Sequence, residues 1–240
     1  MVYGIILDAG NQTRFDDDLP KSLQIVKGKT VLERNIFVLN QVVEDYYIAV
    51  NPKKKDYFSN YAENLVVINS GLGSGDAIYK VCKSLKLNDD DKIVLIWGDS
   101  IHTSTSVIHN GLARLDEVDF SVPVYKEKDP YVRFVIGEDA SVAEVLFSKY
   151  SGPNDHGYHD QSCFFFRVGP LMKTLEEVRF EHYDYAGKKY LIPDRGDFDL
   201  LEIFNICSNI PRNIMFNVRK SEKSFSFNTI EELQSIEEKI

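Results

Sequence analysis

A chain of 240 residues with 43% hydrophobic content is long enough to bury a substantial core in one α/β domain or two small ones, and a single domain is expected. A net charge of −9 excludes broad electrostatic attachment to nucleic acid, whose phosphates it would repel without a local basic patch. No apolar stretch approaches the length needed to cross a bilayer and the first is too short for a signal peptide, so a soluble, cytoplasmic protein is expected.

The apolar run Val2 to Leu7 reads as a strand buried on both faces that breaks into the small-residue turn Asp8-Ala9-Gly10-Asn11-Gln12-Thr13. Arg14 and Lys21 lie close behind. Two cations beside a turn with free backbone N–H groups suit a polyphosphate, so the stretch reads as a nucleotide-phosphate cradle. Thr30 to Val43 has its apolar residues Leu32, Ile36, Leu39 and Val43 on one helical face, and Thr30 with Glu33 forms a capping box. Tyr46 to Val50 is a second strand, stopped by Asn51-Pro52. A short polar helix runs to about Ala62, with Lys53-Lys54-Lys55 as its solvated start. Leu65 to Ile68 is a third strand. Gly71-Leu72-Gly73-Ser74-Gly75 then opens onto a helix carrying Ile78, Val81, Cys82 and Leu85 on one face, and Lys92 to Trp97 is a buried strand that stops at Gly98-Asp99-Ser100. Alternating strands and helices imply right-handed crossovers, a mostly parallel sheet, and ligands at the carboxyl ends of the strands.

The second half is less regular. Phe120 to Val124, Val132 to Ile136, Val142 to Phe147 and Cys163 to Val168 read as strands, and Ser148 to Gln161 as a loop rich in Gly, Pro, Asn, Asp and His. Pro170 to Val178 reads as a helix with proline in its first turn, and Asp197 to Cys207 as another. Met215 to Val218 is a last strand, and an N-cap at Asn228-Thr229 opens a terminal acidic helix. Cys82, Cys163 and Cys207, odd in number and set in apolar segments, read as buried thiols.

The segment Gly4-Ile5-Ile6-Leu7-Asp8-Ala9-Gly10-Asn11-Gln12-Thr13-Arg14-Phe15, followed by Leu19-Pro20-Lys21 and Gly28-Lys29-Thr30-Val31-Leu32-Glu33-Arg34, resembles the signature of the sugar-phosphate nucleotidyltransferases and their cytidylyltransferase relatives. In that family a leucine, two small residues and a Gly-x-Gly-(Thr/Ser)-Arg loop precede a Pro-Lys pair. Gly73-Ser74-Gly75-Asp76-Ala77 is similar to the family's base-recognition loop, and Trp97-Gly98-Asp99 to the strand end whose aspartate binds magnesium. More loosely, Val145 to Lys149 is similar to the strand ending in a lysine near the acceptor, Asp160 to Phe166 to the Asn-Ala-Gly-led strand, and Phe227 to Leu233 to the turn that supplies a second metal ligand.

The resemblance implies a single-domain, Rossmann-like three-layer sandwich with a mostly parallel mixed sheet, residues 1–125 holding the nucleotide and 126–240 the acceptor. It implies Mg2+-dependent transfer of a nucleoside monophosphate, CMP favoured and UMP or dTMP as alternatives, from an NTP to a small phosphorylated acceptor such as a sugar 1-phosphate or a phosphocholine-like compound. Negative charge must then be neutralised on both reactants. Arg14 forks onto the β and γ phosphates and Lys21 supplies a point charge near the α-phosphate. Leu7, Asp8, Ala9, Gly10, Asn11, Gln12, Thr13, Gly73, Ser74, Gly75 and Asp76 bind the nucleotide, and Asp99 with Asn228 holds the metal, although a plain helix cap stays open for Asn228. Lys149, Asp160, Gln161 and Asp199 are candidates to line the acceptor pocket, and ordinary surface roles stay open for each. No nucleic acid or membrane partner is implied, and a homodimer stays open.

Gln12 stands where the family has its second glycine, and Asp8 where it has a small residue. A side chain at the first crowds the backbone approach to phosphate, and a carboxylate at the second repels a triphosphate unless aimed at ribose, base or a cation. These departures keep open a non-catalytic nucleotide-binding or regulatory protein of the same fold. A glycosyltransferase sharing the sheet would use an Asp-x-Asp motif, which Asp89-Asp90-Asp91 contains, but ahead of a strand instead of at its end. Gly98-Asp99-Ser100 also resembles the nucleophile block of GDS-type esterases without their late Asp-x-x-His, and His156 and His159 with Asp155 and Asp160 form a weak metal candidate.

Overall fold

The computed structural model describes residues 1–10, 19–69, 71–102, 104–152, 156–192 and 196–240. Successive residues of a strand face opposite sides of its sheet, so a strand apolar throughout needs a layer on each side. The first half supplies four largely apolar strands: β1 (Val2–Asp8), β2 (Asp45–Val50), β3 (Leu65–Val67) and β4 (Lys92–Trp97). In β1, Ile5 joins one buried cluster and Ile6 the other; in β4, Ile93 and Leu95 alternate in the same way with Val94 and Ile96.

Helices α1 (Val31–Leu39) and α3 (Thr105–Arg114) cover the Ile6 face with Leu32, Val38, Leu39, Val107 and Ile108. The Ile5 face is covered by α2 (Ser74–Leu85), through Ala77, Ile78, Val81 and Cys82, and by α4 (Val168–His182), through Leu171, Leu175 and Val178. The result is the three-layer α/β sandwich that two-sided burial requires.

The remaining strands are β5 (Phe120–Lys128), β6 (Val132–Ile136), β7 (Val142–Phe147), β8 (His156–Asp160), β9 (Cys163–Arg167) and β10 (Asn213–Asn217). All ten join one sheet of order β7-β6-β8-β5-β9-β4-β1-β2-β3, with β10 paired to β5. Strands β7, β8 and β9 run against the other seven, so the sheet is mixed with one prevailing direction. The run Phe164-Phe165-Phe166 of β9 lies in the centre, with Phe164 and Phe166 on one face and Phe165 on the other. Helix α5 (Ile230–Glu237) covers a smaller cluster with Leu233 and Ile236.

Several local expectations are corrected. Within Ser148 to Gln161, residues His156–Asp160 form β8, held by pairing to β5 and β6 and not by any apolar alternation of their own. The helix expected over Asp197 to Cys207 is broken into a 3-10 turn, Leu200–Glu202, and a single helical turn, Ile203–Ile206, because the Phe198 backbone is engaged elsewhere and Asp199 caps the turn by accepting from Leu201 N–H. The polar helix after Pro52 is a kinked 3-10 segment, Pro52–Asn64, and α1 ends at Leu39 instead of Val43. Cys82 and Cys163 are buried and Cys207 half-buried, all as free thiols. Among the described residues no helix is long and apolar enough to cross a membrane.

Candidate active site

Strands β1 and β4 end side by side, Leu7 paired with Trp97, and the chain leaves both ends into a cleft of about 590 Å3. Gly98 N–H donates to the Leu7 carbonyl at 3.0 Å, which sets Asp8 beside the start of the Asp99 turn. Beyond it, Ser100–Ile101 pairs with Phe225–Ser226, so the far end of the chain returns to the end of β4 and brings Asn228 to Asp99.

Lys21 closes this junction. Its Nζ donates to Asp99 Oδ2 at 3.1 Å, to the Phe227 carbonyl at 3.1 Å and to Asn228 Oδ1 at 3.2 Å, with the lysine side chain only 7% exposed. The helix-cap reading of Asn228 is corrected. Thr229 is the N-cap of α5 and forms a capping box with Glu232, which leaves the Asn228 amide turned to Lys21.

Asp8 is 5% exposed and accepts a short hydrogen bond from the Ser22 hydroxyl. Burial pushes its carboxyl up to about 7, against the Ser22 bond and the attraction of Lys54 and Lys21, with Asp99 adding to the rise. The carboxylate thus ties the end of β1 to the turn that carries Lys21. Lys54, one of the run read as solvated, is half-buried, and burial lowers its pKa although Asp8 draws it up.

The glycine loop is shaped by a strap at 197–201. Phe198 N–H donates to the Leu72 carbonyl at 2.8 Å, Gly75 N–H to the Phe198 carbonyl at 2.9 Å, and Leu200 N–H to Ser74 Oγ at 2.8 Å. A Cβ on Gly73, whose φ is +97°, would lie 2.2 Å from the Phe198 carbonyl oxygen, and one on Gly75 would lie 2.3 Å from the Phe198 ring. Both glycines are therefore required by the strap's close approach, before any ligand is considered.

Of the residues read from sequence, Leu7, Asp8, Ala9, Gly10, Lys21, Gly73, Ser74, Asp99, Asn228, Lys149, Asp160 and Asp199 line the cleft. Asn11, Gln12, Thr13 and Arg14 lie outside the described residues. Asp76 does not line the cleft. It is fully buried, accepts from Arg179 Nη1 and the Tyr190 hydroxyl, each at 3.1 Å, and pairs with Lys80 at 2.5 Å. Gln161 faces a neighbouring cavity and is spent on structure, accepting from Ser224 N–H at 3.0 Å. Trp97, Tyr131, Tyr150, His159 and Asp197 also line the cleft; Trp97 was read only as part of the Asp99 motif and His159 only as a weak metal candidate, and the other three carried no site signal.

Two alternatives lose their footing. Asp91 sits at the opposite, amino end of β4, where it accepts from the Met1 amino group at 2.9 Å, so the aspartate run is not at the cleft. Ser100 is fully buried and does not line the cleft. Among the described residues, no three His, Cys, Asp or Glu side chains form a metal cluster.

Residues 4–164 match the family model of the MobA-like NTP transferase domain. The chain belongs to this family. It is 30% identical over 165 residues to the bifunctional protein GlmU of Buchnera aphidicola subsp. Schizaphis graminum, a match covering 62% of this chain and 35% of that relative, so the chain spans about a third of the GlmU length. The fold is shared with a putative glucose-1-phosphate thymidylyltransferase from Bacillus anthracis, at a TM-score of 0.73 and 16% identity over 99% of this chain and 94% of that one. It is shared equally with the CTP:phosphocholine cytidylyltransferase LicC of Streptococcus pneumoniae, at a TM-score of 0.72 and 17% identity over 99% and 98% of the two chains.

In this MobA-like chain the junction's donor set can be tested against a divalent cation. Asp99 Oδ2, Asn228 Oδ1 and the Phe227 carbonyl are all hard oxygen donors that converge on one point, the place of the Lys21 ammonium. Donors of these types suit Mg2+, but the Lys21 ammonium fills their point of convergence, so Asp99 and Asn228 would have to hold the cation through lone pairs that face away from it.

Proposed function

We propose that this chain transfers a nucleoside monophosphate from an NTP to a small phosphorylated acceptor and releases pyrophosphate. CMP is favoured, with UMP and dTMP as alternatives, and the acceptor is a sugar 1-phosphate or a phosphocholine-like compound. The observation that carries this reading is the convergence of Lys21, Asp99 and Asn228 at the carboxyl ends of β1 and β4. They lie in one cleft with the glycine loop on one side and Lys149, Asp160 and Asp199 on the other. Family membership supports the reaction class, and the fold neighbours are named for thymidylyl and cytidylyl transfer.

In the proposed reaction an acceptor phosphate oxygen attacks the α-phosphorus in line, a new P–O bond forms, and the bond to the β-phosphate oxygen breaks with pyrophosphate as leaving group. Lys21 places a compact, fixed ammonium where charge builds on the α-phosphate. Arg14 serves the leaving β and γ phosphates. Asp99 and Asn228 would hold Mg2+, which when bound neutralises charge on phosphate oxygens. Gly73 and Ser74 flank the base side, held by the 197–201 strap.

The test is a thermal shift of the full chain with CTP, UTP, dTTP, GTP and ATP in turn, with and without Mg2+. A nucleotide at about a hundred times its Kd adds about 2.7 kcal/mol. One Mg2+-dependent response is expected from a pyrimidine nucleotide. Silence from all five would favour the non-catalytic alternative, which Gln12 and the buried Asp8 carboxylate motivate.

A further inference from the structure

The cleft adjoins a second cavity of about 500 Å3 beneath α5, and His159 stands in the wall between them. It projects from β8 opposite Tyr125 of β5. Three elements converge on it. From β5, Glu127 Oε1 lies 2.7 Å from Nδ1, and the other Glu127 oxygen is paired with Lys223 of the segment preceding α5. A carboxylate at that distance makes Nδ1 the donor and locks the ring plane. Nε2 is left on the other side, 3.9 Å from Asp160 Oδ2, and makes no hydrogen bond among the described residues.

Burial of the ring works against its charged form, but the Glu127 hydrogen bond and the charges of Asp160 and Glu127 outweigh it, with Lys223 opposing. The net effect raises the imidazole above its usual 6.5. Glu127 is in turn held down to about 2 by His159 and Lys223 in spite of its own burial. The surroundings make the charge informative. On the acceptor side the cleft carries Asp160, Asp197 and Asp199, against two basic side chains, Lys149 and His159. Lys149 is an exposed chain lying over the Tyr150 ring at 4.9 Å, whereas His159 is fixed in place. Burial pushes the Asp160 carboxyl up, although His159 pulls it down.

We propose that His159, oriented by Glu127 and Lys223, is the fixed donor that holds the phosphate dianion of the acceptor through Nε2–H. The assignment rests on the transferase reading for the word acceptor, but not for the phosphate site itself. Glu127 and Lys223 are positioning residues. The proton stays on His159; its task is to orient the attacking phosphate and offset the acidic wall.

The test follows the histidine C2–H resonances of the full chain by NMR, with inorganic phosphate as probe. The signal lost in His159→Gln is His159. In the wild type it should titrate above 6.5, move on addition of phosphate, and show a higher midpoint in its presence. Ligand-observed 31P relaxation should show phosphate bound about tenfold or more weakly by His159→Gln, as loss of a charge-assisted hydrogen bond requires. Glu127→Gln should lower the His159 midpoint and weaken phosphate binding together, whereas unchanged phosphate affinity despite a lowered midpoint would overturn the positioning role of Glu127. A His159 signal that ignores phosphate, or a His159→Gln protein that binds phosphate as tightly as the wild type, overturns the proposal. The nucleotide thermal shift separates the two readings. If no NTP shifts the wild type while phosphate moves His159, the transfer reading fails and the phosphate site stands; a normal nucleotide response with an unmoved His159 fails the site alone.

Discussion

Asp8→Asn isolates the buried carboxylate at the end of β1. The asparagine oxygen still accepts from Ser22, so the substitution removes charge while keeping the tie to the Lys21 turn. The wild-type carboxyl rises from 3.8 to about 7 on folding, chiefly through burial. At about 1.36 kcal/mol per unit, the ionised form costs the folded state about 4 kcal/mol. The sign follows from proton counting. Between 3.8 and about 7 the folded chain holds a proton that the unfolded chain has lost, so stability is greatest below 3.8 and falls as pH rises through that window. Asp8→Asn should match the wild type near pH 3 and exceed it increasingly until about pH 7. At pH 8 the gain of about 4 kcal/mol corresponds to roughly 8–16 °C in Tm for a chain of this size. Urea unfolding and thermal melts from pH 3 to 8 measure it. Equal stabilities at pH 8, or a difference that does not grow between pH 4 and 7, would refute the reasoning. A residue kept at that cost is expected to serve the site, so Asp8→Asn should also change nucleotide affinity.

Lys21→Ala should lower turnover by about a hundredfold or more, and, because its three hydrogen bonds join the first turn to the entry of α5, cost about 1–2 kcal/mol in urea unfolding. Lys21→Arg should not restore activity, since a planar fork cannot occupy the place of a compact ammonium. Thr229→Ala should cost about 1 kcal/mol with turnover unchanged, whereas Asn228→Ala should weaken Mg2+ activation and leave the melt nearly unaltered; the opposite pattern would restore the cap reading of Asn228. Gly75→Ala should destabilise by about 2–3 kcal/mol and weaken nucleotide binding in the same melts, because its Cβ falls 2.3 Å from the Phe198 ring and must displace the strap.

The parallel half of the fold was legible because its signals are local. The apolar runs of β1 and β4, the Thr30–Glu33 capping box and the proline after β2 each state their structure within a few residues. Strand β8 was not legible, since His-Gly-Tyr-His-Asp lacks alternation and takes its conformation from β5 and β6. Helix α3 was missed for its polar composition. At the site, Lys21, Asp99 and Asn228 were legible by resemblance, and the structure gathers them within hydrogen-bond distance. Asp76 was misread as facing the base because its partners, Arg179 and Tyr190, lie more than a hundred residues away. Lys54 and His159 were hidden for a like reason: a lysine run and a loop histidine look solvated until the elements that face them are known.

The most direct test of nucleotidyl transfer is 31P NMR of the full chain with Mg2+, the NTP selected by the thermal shift, and either glucose 1-phosphate or phosphocholine. The account predicts matched growth of pyrophosphate and a new pair of diphosphate-ester resonances with one acceptor, absent in Lys21→Ala. Release of orthophosphate, or no new resonance with an NTP that demonstrably binds, would contradict it.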